Sequence, residues 1–295
     1  MSCPRCAEGY ILPGEPKGSI QPDFSGAYLA PNPDAETTAS DRAVIVLTDV
    51  FGLPLKNPKL IADTLAERLR CDVWVPDYFN GRPIFGLDVM EPPQREDDQL
   101  TIWDWLRILC KTILPNLGAL WSNRPSVVDQ RVASVRPNFL MFQQSNEESN
   151  VGRLILPQFI SLLKEKKGYK KIGAVGYCFG GTACIRLAST GLIDGGVICH
   201  PGPFSIPQVR AIRSPVAWVC AERDEFFPNS KQHQSEAEFA GRKDTDRFVD
   251  YEFKEYKGTV HGFACRPNLQ KPEVVESYKS ALDQTASWFE KTLVS

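Results

Sequence analysis

Residues 171–188 read KIGAVGYCFGGTACIRLA, and this stretch decides the fold. An apolar run from Ile172 to Val175 leads into the turn Gly176-Tyr177-Cys178-Phe179-Gly180, and apolar positions at helical spacing follow it. This order predicts a buried strand, a tight turn and a helix, with cysteine in the serine position of the pattern G-x-S-x-G. Glycines are needed because flanking side chains would collide with the strand and the helix. The turn would hold Cys178 over a helix N-terminus, where the helix dipole favours a thiolate.

Elements of alternating type surround this stretch. Short apolar, β-branched runs predict strands at 43–47 and 73–75, and the alternating pattern of the second half predicts strands at 171–176, 195–199, 215–220 and 248–256. A further short strand at 26–30 is considered. Helical spacing predicts helices after Pro58 and at 151–166, 181–190, 229–241 and 271–291. The alternation predicts the α/β class and, with the cysteine turn, the α/β-hydrolase fold. In that fold helices cover both faces of a mostly parallel sheet, and the chemistry lies at the carboxyl ends of the strands.

The chain divides into unequal parts. Residues 1–42 are rich in proline, glycine and polar side chains, and we expect 1–24 to form an arm laid over a single catalytic domain at 25–295. Residues 100–117, with Trp103 and Trp105, predict a helix that is apolar around most of its circumference. Residues 118–150 predict a helical insertion. Together these two segments would either cover a pocket or pack as ordinary core.

Composition narrows the class of partner. The 295 residues carry 34 basic and 36 acidic side chains, so no broad positive field would attract nucleic acid or an anionic membrane. No stretch approaches the roughly 18 apolar residues of a membrane span, and the start lacks the pattern of a signal peptide. The nine scattered cysteines are most simply explained as reduced thiols, which predicts the cytoplasm. A small-molecule substrate fits these properties best.

Three acidic side chains compete as the partner of a histidine base. A nucleophile at this kind of turn is followed along the chain first by an acid and then by a histidine. Asp224 comes directly after strand 215–220, and we prefer it to Glu222 and Glu225 because it has the better reach.

The histidine can be chosen from only three in the chain. His261 follows the last strand in the segment Gly258 to Phe263, which is the place expected for the base. His233 lies in a polar helical stretch typical of an exposed surface. His200 follows a strand and is either structural or part of the pocket lining.

These placements predict a chemistry. His261 would take the thiol proton of Cys178 while Asp224 fixes its tautomer, and the thiolate would attack a carbonyl to give a thioester that water hydrolyses. The oxyanion needs two backbone N–H donors. We expect one from Phe179, the residue after the nucleophile, and one from Val50 in the loop after the early strand.

The motifs quoted above resemble those of the dienelactone hydrolase family. The likeness rests on Gly-Tyr-Cys-Phe-Gly-Gly at 176–181, the Asp224 loop, His-Gly-Phe at 261–263 and Asp-Val-Phe-Gly at 49–52, and it covers residues 25–292. The Met-Ser-Cys-Pro start is similar to that of fungal members. The resemblance implies hydrolysis of an enol lactone or a similar small ester, no metal or other cofactor, and an eight-stranded domain that is a monomer, with a dimer as the alternative.

The resemblance also implies substrate contacts. Family members carry a glutamate in the early strand motif that touches the resting cysteine, and here the shorter Asp49 occupies that position. Arginines of the family hold a substrate carboxylate. Arg266, five residues after His261, and Arg82 are the candidates in this chain.

Other functions are weighed against hydrolysis. Cys3-x-x-Cys6 could begin a zinc site, but no second pair of ligands follows at a suitable spacing. A redox role for Cys178 would need a resolving cysteine close by, and Cys184, six residues along a helix, would not share its face. A noncatalytic ligand-binding protein on the same fold is the main rival.

Overall fold

The computed structural model describes residues 4–35, 40–92 and 156–294, together with a few positions between 102 and 118. The strands in these residues are β1 Ser19–Gln21, β2 Ala27–Ala30, β3 Arg42–Leu47, β4 Asp72–Val75, β5 Lys171–Tyr177, β6 Gly195–Cys199, β7 Val216–Arg223 and β8 Tyr251–Val260. The α-helices are α1 Asn57–Leu69, α2 Leu156–Lys167, α3 Phe179–Ala188, α4 Ile206–Arg210, α5 Asn229–Ala240 and α6 Pro272–Thr292. The predicted insertion at 118–150 and most of 100–117 lie outside the described residues.

The eight strands form one mixed sheet in the order β1-β2-β4-β3-β5-β6-β7-β8. The six strands from β4 to β8 along this order pair in parallel, whereas β1 and β2 pair antiparallel at one edge. β3 and β5 are adjacent at the centre of the sheet, with β4, β2 and β1 on one side and β6, β7 and β8 on the other. Parallel pairing brings the carboxyl ends of the six parallel strands to the same edge of the sheet. Cys178, Asp224 and His261 lie at this edge because they directly follow β5, β7 and β8.

Helices cover both faces of the sheet, as predicted. Because side chains alternate along a strand, one face of β3 and β4 packs in a core that includes α1 and α6, through Val44, Val46, Val73 and Val75. The other face packs in a core that includes α2, α3 and α5, through Ala43, Ile45, Leu47 and Trp74. Strands buried on both faces explain why the sequence shows continuous apolar runs instead of alternation.

Two elements differ from the expectation. β1 falls within the predicted arm, yet it pairs with β2 and adds an edge strand to the sheet. The short helix α4 follows a capping box in which the backbone N–H of Ser205 donates to Gln208 Oε1 at 2.8 Å. Within the part of the chain that the structure describes, no helix is long and apolar enough to cross a bilayer.

Candidate active site

The turn between β5 and α3 places Cys178 at the carboxyl edge of the sheet. Cys178 adopts φ 52° and ψ −112°, a backbone conformation that a residue with a side chain rarely takes. A Cβ added at Gly176 would lie 2.1 Å from the Gly180 carbonyl oxygen, and one added at Gly180 would lie 2.2 Å from the Leu47 carbonyl oxygen. Glycine at both positions therefore lets α3 begin directly against the ends of β3 and β5.

Asp224 and His261 form a buried pair beside this turn. Asp224 follows the last residue of β7 and His261 follows the last residue of β8, two neighbouring parallel strands. Asp224 Oδ2 lies 2.9 Å from His261 Nδ1, and Asp224 Oδ1 accepts the backbone N–H groups of Phe226 and Phe227 at 2.9 and 3.1 Å. Both carboxylate oxygens are engaged, so the carboxylate is fixed where it selects the imidazole tautomer that carries its proton on Nδ1.

The competing glutamates point elsewhere. Glu222 Oε2 accepts the backbone N–H of Gly258 at 2.7 Å, and Glu222 also lies beside Lys257. Glu225 pairs with Arg5 of the N-terminal arm, with 3.3 Å between Arg5 Nε and Glu225 Oε1. Of the three candidates, Asp224 is the one that the structure brings to His261.

The Cys178 thiol lies beside His261 and a second thiol. Cys178 Sγ, Cys6 Sγ and a ring nitrogen of His261 all lie within 4.8 Å of one another, and the two sulfurs are 3.9 Å apart. The hydrogen bond with Cys6, together with burial, raises the pKa of Cys178, which favours a protonated thiol at rest. Burial, the largest single effect, lowers the pKa of His261, but Asp224 and Cys6 together more than offset it and raise that pKa. The pair therefore favours the imidazolium that forms when the ring takes a proton.

The two predicted oxyanion donors lie next to this cluster. Phe179 is the first residue of α3, so its N–H has no acceptor inside the helix. Val50 packs in the same apolar cluster as Cys178, and its carbonyl accepts the N–H of Phe85 at 3.1 Å, which holds the loop after β3 in place. Their role toward an oxyanion stays a prediction.

Comparison with known protein families gives a match over most of the chain. The dienelactone hydrolase family matches residues 26–293. The chain belongs to the dienelactone hydrolase family. Membership in this family makes it a hydrolase of the ester and lactone class.

Fungal and animal relatives of this family member span nearly its whole length. The chain is 27% identical over 290 residues to hydrolase pyvD of Aspergillus violaceofuscus, covering 98% of this chain and 96% of that protein. It is 28% identical over 291 residues to hydrolase tropI of Talaromyces stipitatus, covering 98% and 95%. It is 23% identical to the human carboxymethylenebutenolidase homolog, covering 90% and 88%.

Solved structures share the fold. The dienelactone hydrolase-like promiscuous phosphotriesterase P91 from metagenomic libraries superposes with a TM-score of 0.54 at 17% identity, covering 90% of this chain and 92% of that chain. An esterase of Pyrococcus furiosus gives a TM-score of 0.54 at 13% identity, covering 97% and 100%. At these identities the likeness supports the α/β-hydrolase fold and nothing finer.

In this dienelactone hydrolase family member, Asp49 and Arg266 pair with each other. Arg266 Nε donates to Asp49 Oδ2 at 2.6 Å, and Asp49 Oδ1 accepts the Phe51 N–H at 3.0 Å. Arg266 is 2% exposed, and its Nη1 donates to the Glu8 carbonyl, whereas Nη2 is buried with no hydrogen-bond partner among the described residues. Arg82 is exposed in the loop after β4. The contacts expected of Asp49, Arg82 and Arg266 with thiol or substrate stay predictions.

His200 is buried in the core and lies beside His261. It is fully buried at the end of β6, with its ring edge-on to His261 at a centroid distance of 5.2 Å. Burial, with the neighbouring His261, lowers the pKa of His200, so we assign it as a neutral imidazole. His200 is therefore a buried residue of the core that also contacts the ring of the proposed base.

Cys6 was considered from the sequence only as part of a Cys3-x-x-Cys6 pair, and sequence reasoning missed its place beside Cys178. It comes from the N-terminal arm, whose path depends on contacts distant in the sequence: Arg5 with Glu225, and Ala7 and Gly9 with the backbone of Glu91. Gly9 lets the arm lie on the domain, because a Cβ there would be 2.5 Å from Arg266 Cβ. No local sequence pattern in the arm predicts these contacts.

Proposed function

We propose that this protein hydrolyses a small ester or lactone through a thioester on Cys178, with His261 as the base and Asp224 as the residue that orients it. One observation carries the proposal. A strained turn holds a thiol within 4.8 Å of a histidine nitrogen, and the Nδ1 of that histidine is fixed by a buried carboxylate at 2.9 Å. Nucleophile, base and orienting acid are the three parts that covalent acyl transfer needs.

The reaction proceeds in two halves. His261 takes the proton from Cys178 Sγ, and the sulfur attacks the substrate carbonyl carbon. The N–H groups of Phe179 and Val50 bind the resulting oxyanion. The intermediate collapses to a thioester, and the leaving alcohol or enol takes the proton from His261. In the second half His261 removes a proton from water, the hydroxide attacks the thioester, and the acid is released as Cys178 regains its proton.

The surroundings of Cys178 favour a compact apolar acyl or leaving group. The thiol belongs to an apolar cluster with Val50, Phe51, Leu55, Phe79, Ile84 and Phe85. Partly exposed aromatic rings border the cluster, since Phe179 packs on Phe79 with 5.3 Å between ring centroids. An enol lactone carries its carbonyl in a small, flat ring, which suits an apolar site of this kind. We further propose that the enzyme acts in the cytoplasm as a monomer, for which the scattered thiols and the family resemblance are the support.

The test of the nucleophile is Cys178→Ala. We expect turnover of a panel of small esters and enol lactones to fall by at least about 10³-fold, because the covalent route is lost while alanine fits the turn. Circular dichroism and a thermal melt check the fold. Acid quenching of the parent during turnover should give a mass increase on the peptide that carries Cys178. Turnover within tenfold of the parent, or binding of the panel without any turnover by the parent, would contradict the proposal.

We also propose that Arg266 binds a carboxylate of the substrate through Nη2, the donor atom that its contacts with Asp49 and Glu8 leave unused. Arg266→Lys keeps a positive charge beside Asp49 and removes this planar fork. A lost charge-assisted hydrogen bond corresponds to roughly 10- to 150-fold in kcat/KM. We expect that loss on a carboxylate-bearing lactone and little change on its methyl ester. Equal losses on both substrates would exclude this role, and Arg82→Ala would then be compared in the same way.

A further inference from the structure

The N-terminal arm places a second thiol in direct contact with the nucleophile. Cys6 Sγ lies 3.9 Å from Cys178 Sγ, and both sulfurs lie within 4.8 Å of a ring nitrogen of His261. All three residues are at most 3% exposed. Hydrolysis as proposed above uses Cys178 and His261 but gives Cys6 no task. Two sulfurs and one imidazole nitrogen at this spacing are a ligand set.

The spacing suits tetrahedral zinc. With Zn–S bonds of about 2.3 Å and tetrahedral angles, two thiolate ligands of one zinc ion lie about 3.8 Å apart. The observed 3.9 Å between the two sulfurs matches this distance. A disulfide would instead require the sulfurs to approach to about 2.05 Å, a movement of nearly 2 Å. The resting arrangement therefore matches metal coordination much better than a disulfide.

His261 is oriented as a zinc ligand would be. Its Nδ1 donates to Asp224 Oδ2 at 2.9 Å, which leaves the lone pair on Nε2, and Nε2 has no hydrogen-bond partner among the described residues. Zinc-bound histidines commonly donate their second ring N–H to a carboxylate, which fixes the tautomer and strengthens the ligand. The same contact that prepares His261 to take a proton thus prepares it to bind a metal.

Charge balance suits a divalent cation, and the ligand type suits zinc among the divalent cations. Coordination would release one proton from each thiol to the solvent, and the two thiolates would balance the two positive charges of Zn²⁺, so a buried cluster gains no net charge. Magnesium and calcium prefer oxygen ligands, of which this set has none. Three protein ligands leave a fourth position for water.

We propose that Cys6, Cys178 and His261 bind a single zinc ion, and that zinc reversibly inhibits the enzyme by occupying the nucleophile and the base at once. The proposed binding rests on the ligand geometry and not on the proposed function. Inhibition rests on the proposed function, since it requires that Cys178 and His261 perform the hydrolysis. Cys6 is then the residue that makes this family member sensitive to zinc.

Calorimetric titration of the full-length, tag-free, metal-free chain with ZnCl₂ tests the site, with a phosphine reductant present to keep disulfides out. We expect one zinc per chain, with release of the protons that the two thiols and the imidazole carry in the metal-free chain, counted by repeating the titration in buffers of different protonation enthalpy. Cobalt(II) in place of zinc should give the thiolate charge-transfer and tetrahedral ligand-field bands. Cys6→Ala should weaken zinc binding by at least about 100-fold, because altering a mere outer-shell partner costs 10- to 100-fold. Cys178→Ala and His261→Gln should weaken it comparably.

Cys71→Ala is the matched control. Cys71 is likewise a fully buried thiol, but it lies between α1 and β4 in the core. Its variant should bind zinc as the parent does. Parent-like affinity in Cys6→Ala, Cys178→Ala or His261→Gln would overturn the site, as would the absence of stoichiometric binding by the parent. Each of these results is independent of turnover.

Inhibition is measured separately. Zinc should inhibit parental ester hydrolysis at concentrations near the calorimetric Kd, and a chelator should restore it. Inhibition of Cys6→Ala, relative to its own activity in chelator, should need at least about 100-fold more zinc. Equal sensitivity of parent and Cys6→Ala would overturn the inhibition. A parent that binds zinc through these ligands but hydrolyses no ester would contradict the proposed function while supporting the metal site.

Discussion

At the scale of single residues, the carboxylate beside His261 governs the state of the imidazole. Asp224→Asn keeps the shape of the side chain but removes the charge that stabilises the imidazolium, and it can stabilise the wrong tautomer. We expect kcat/KM for a small ester to fall by about 10²- to 10⁴-fold with the fold intact.

Glu222→Gln is the matched control for that substitution. Glu222 lies two residues before Asp224 but contacts Gly258 and Lys257, so its variant should remain within about threefold of the parent. Steady-state kinetics measure kcat/KM for both variants, and thermal melts check that both remain folded. A harmless Asp224→Asn with a crippling Glu222→Gln would reverse our assignment.

Single residues differ in how well the sequence predicts them. Cys178, Asp224 and His261 each follow a strand that the sequence predicts, and parallel pairing brings the ends of these strands to one edge of the sheet. Arg266 shows the limit of that argument. Its distance along the chain from His261 suggests the rim of a pocket, yet the side chain is buried against Asp49. Side-chain direction within a loop depends on partners that chain order does not specify.

At the scale of elements, the start of α3 packs backbone against backbone on the end of β3. A Cβ at Gly180 would lie 2.2 Å from the Leu47 carbonyl oxygen and 2.6 Å from that of Thr48, and backbone cannot move aside as a flexible side chain can. We expect Gly180→Ala to lower the free energy of unfolding by about 3 kcal/mol or more, the upper end of overpacking effects. Because the shift also displaces Cys178, turnover should fall as well.

Gly241→Ala serves as the control for Gly180→Ala. Gly241 has φ −67°, and the nearest atom to an added Cβ is the Ala237 carbonyl oxygen at 3.3 Å. Alanine there should change stability by less than about 1 kcal/mol in either direction. Denaturant unfolding of both variants measures the difference. A Gly180→Ala variant as stable as Gly241→Ala would mean that the two backbone segments are not held in contact.

Prediction of elements succeeds where burial is two-sided and fails for short elements such as β1 and α4. The continuous apolar runs of β3 to β7 are visible because both faces of the sheet are covered, whereas the edge strand β8 is mostly polar. β1 spans Ser19–Gln21, and its side chains are exposed or half-buried, so its three residues carry no apolar signal. The five-residue α4 is likewise too short for a helical period to show. Tertiary pairing, not local preference, forms both elements.

At the scale of the whole molecule, the arm closes the site from outside the sheet. Arg5 is 3% exposed and pairs with Glu8 and Glu225, and the backbone of Ala7 and Gly9 pairs with Glu91. The contacts with Glu225 and Glu91 join segments more than 80 residues apart in the sequence. Local sequence patterns give no signal for contacts over such distances. Composition therefore predicts an arm, but it does not predict that Cys6 reaches Cys178.

The last prediction follows from this closure and concerns a chain shortened to begin at Tyr10. Removal of residues 1–9 takes away the cover that leaves Cys178 only 2% exposed, and it removes the Cys6 hydrogen bond that raises the pKa of the Cys178 thiol. Exposure and a lower pKa both speed reaction with iodoacetamide, since the thiolate is the reacting form. We expect alkylation of Cys178, followed by peptide mass spectrometry, to accelerate by at least about tenfold. Cys184, fully buried in α3, is the internal control and should stay unlabelled in both chains. Simultaneous labelling of Cys184 would indicate unfolding, and equal labelling rates at Cys178 would show that the arm does not shield the nucleophile.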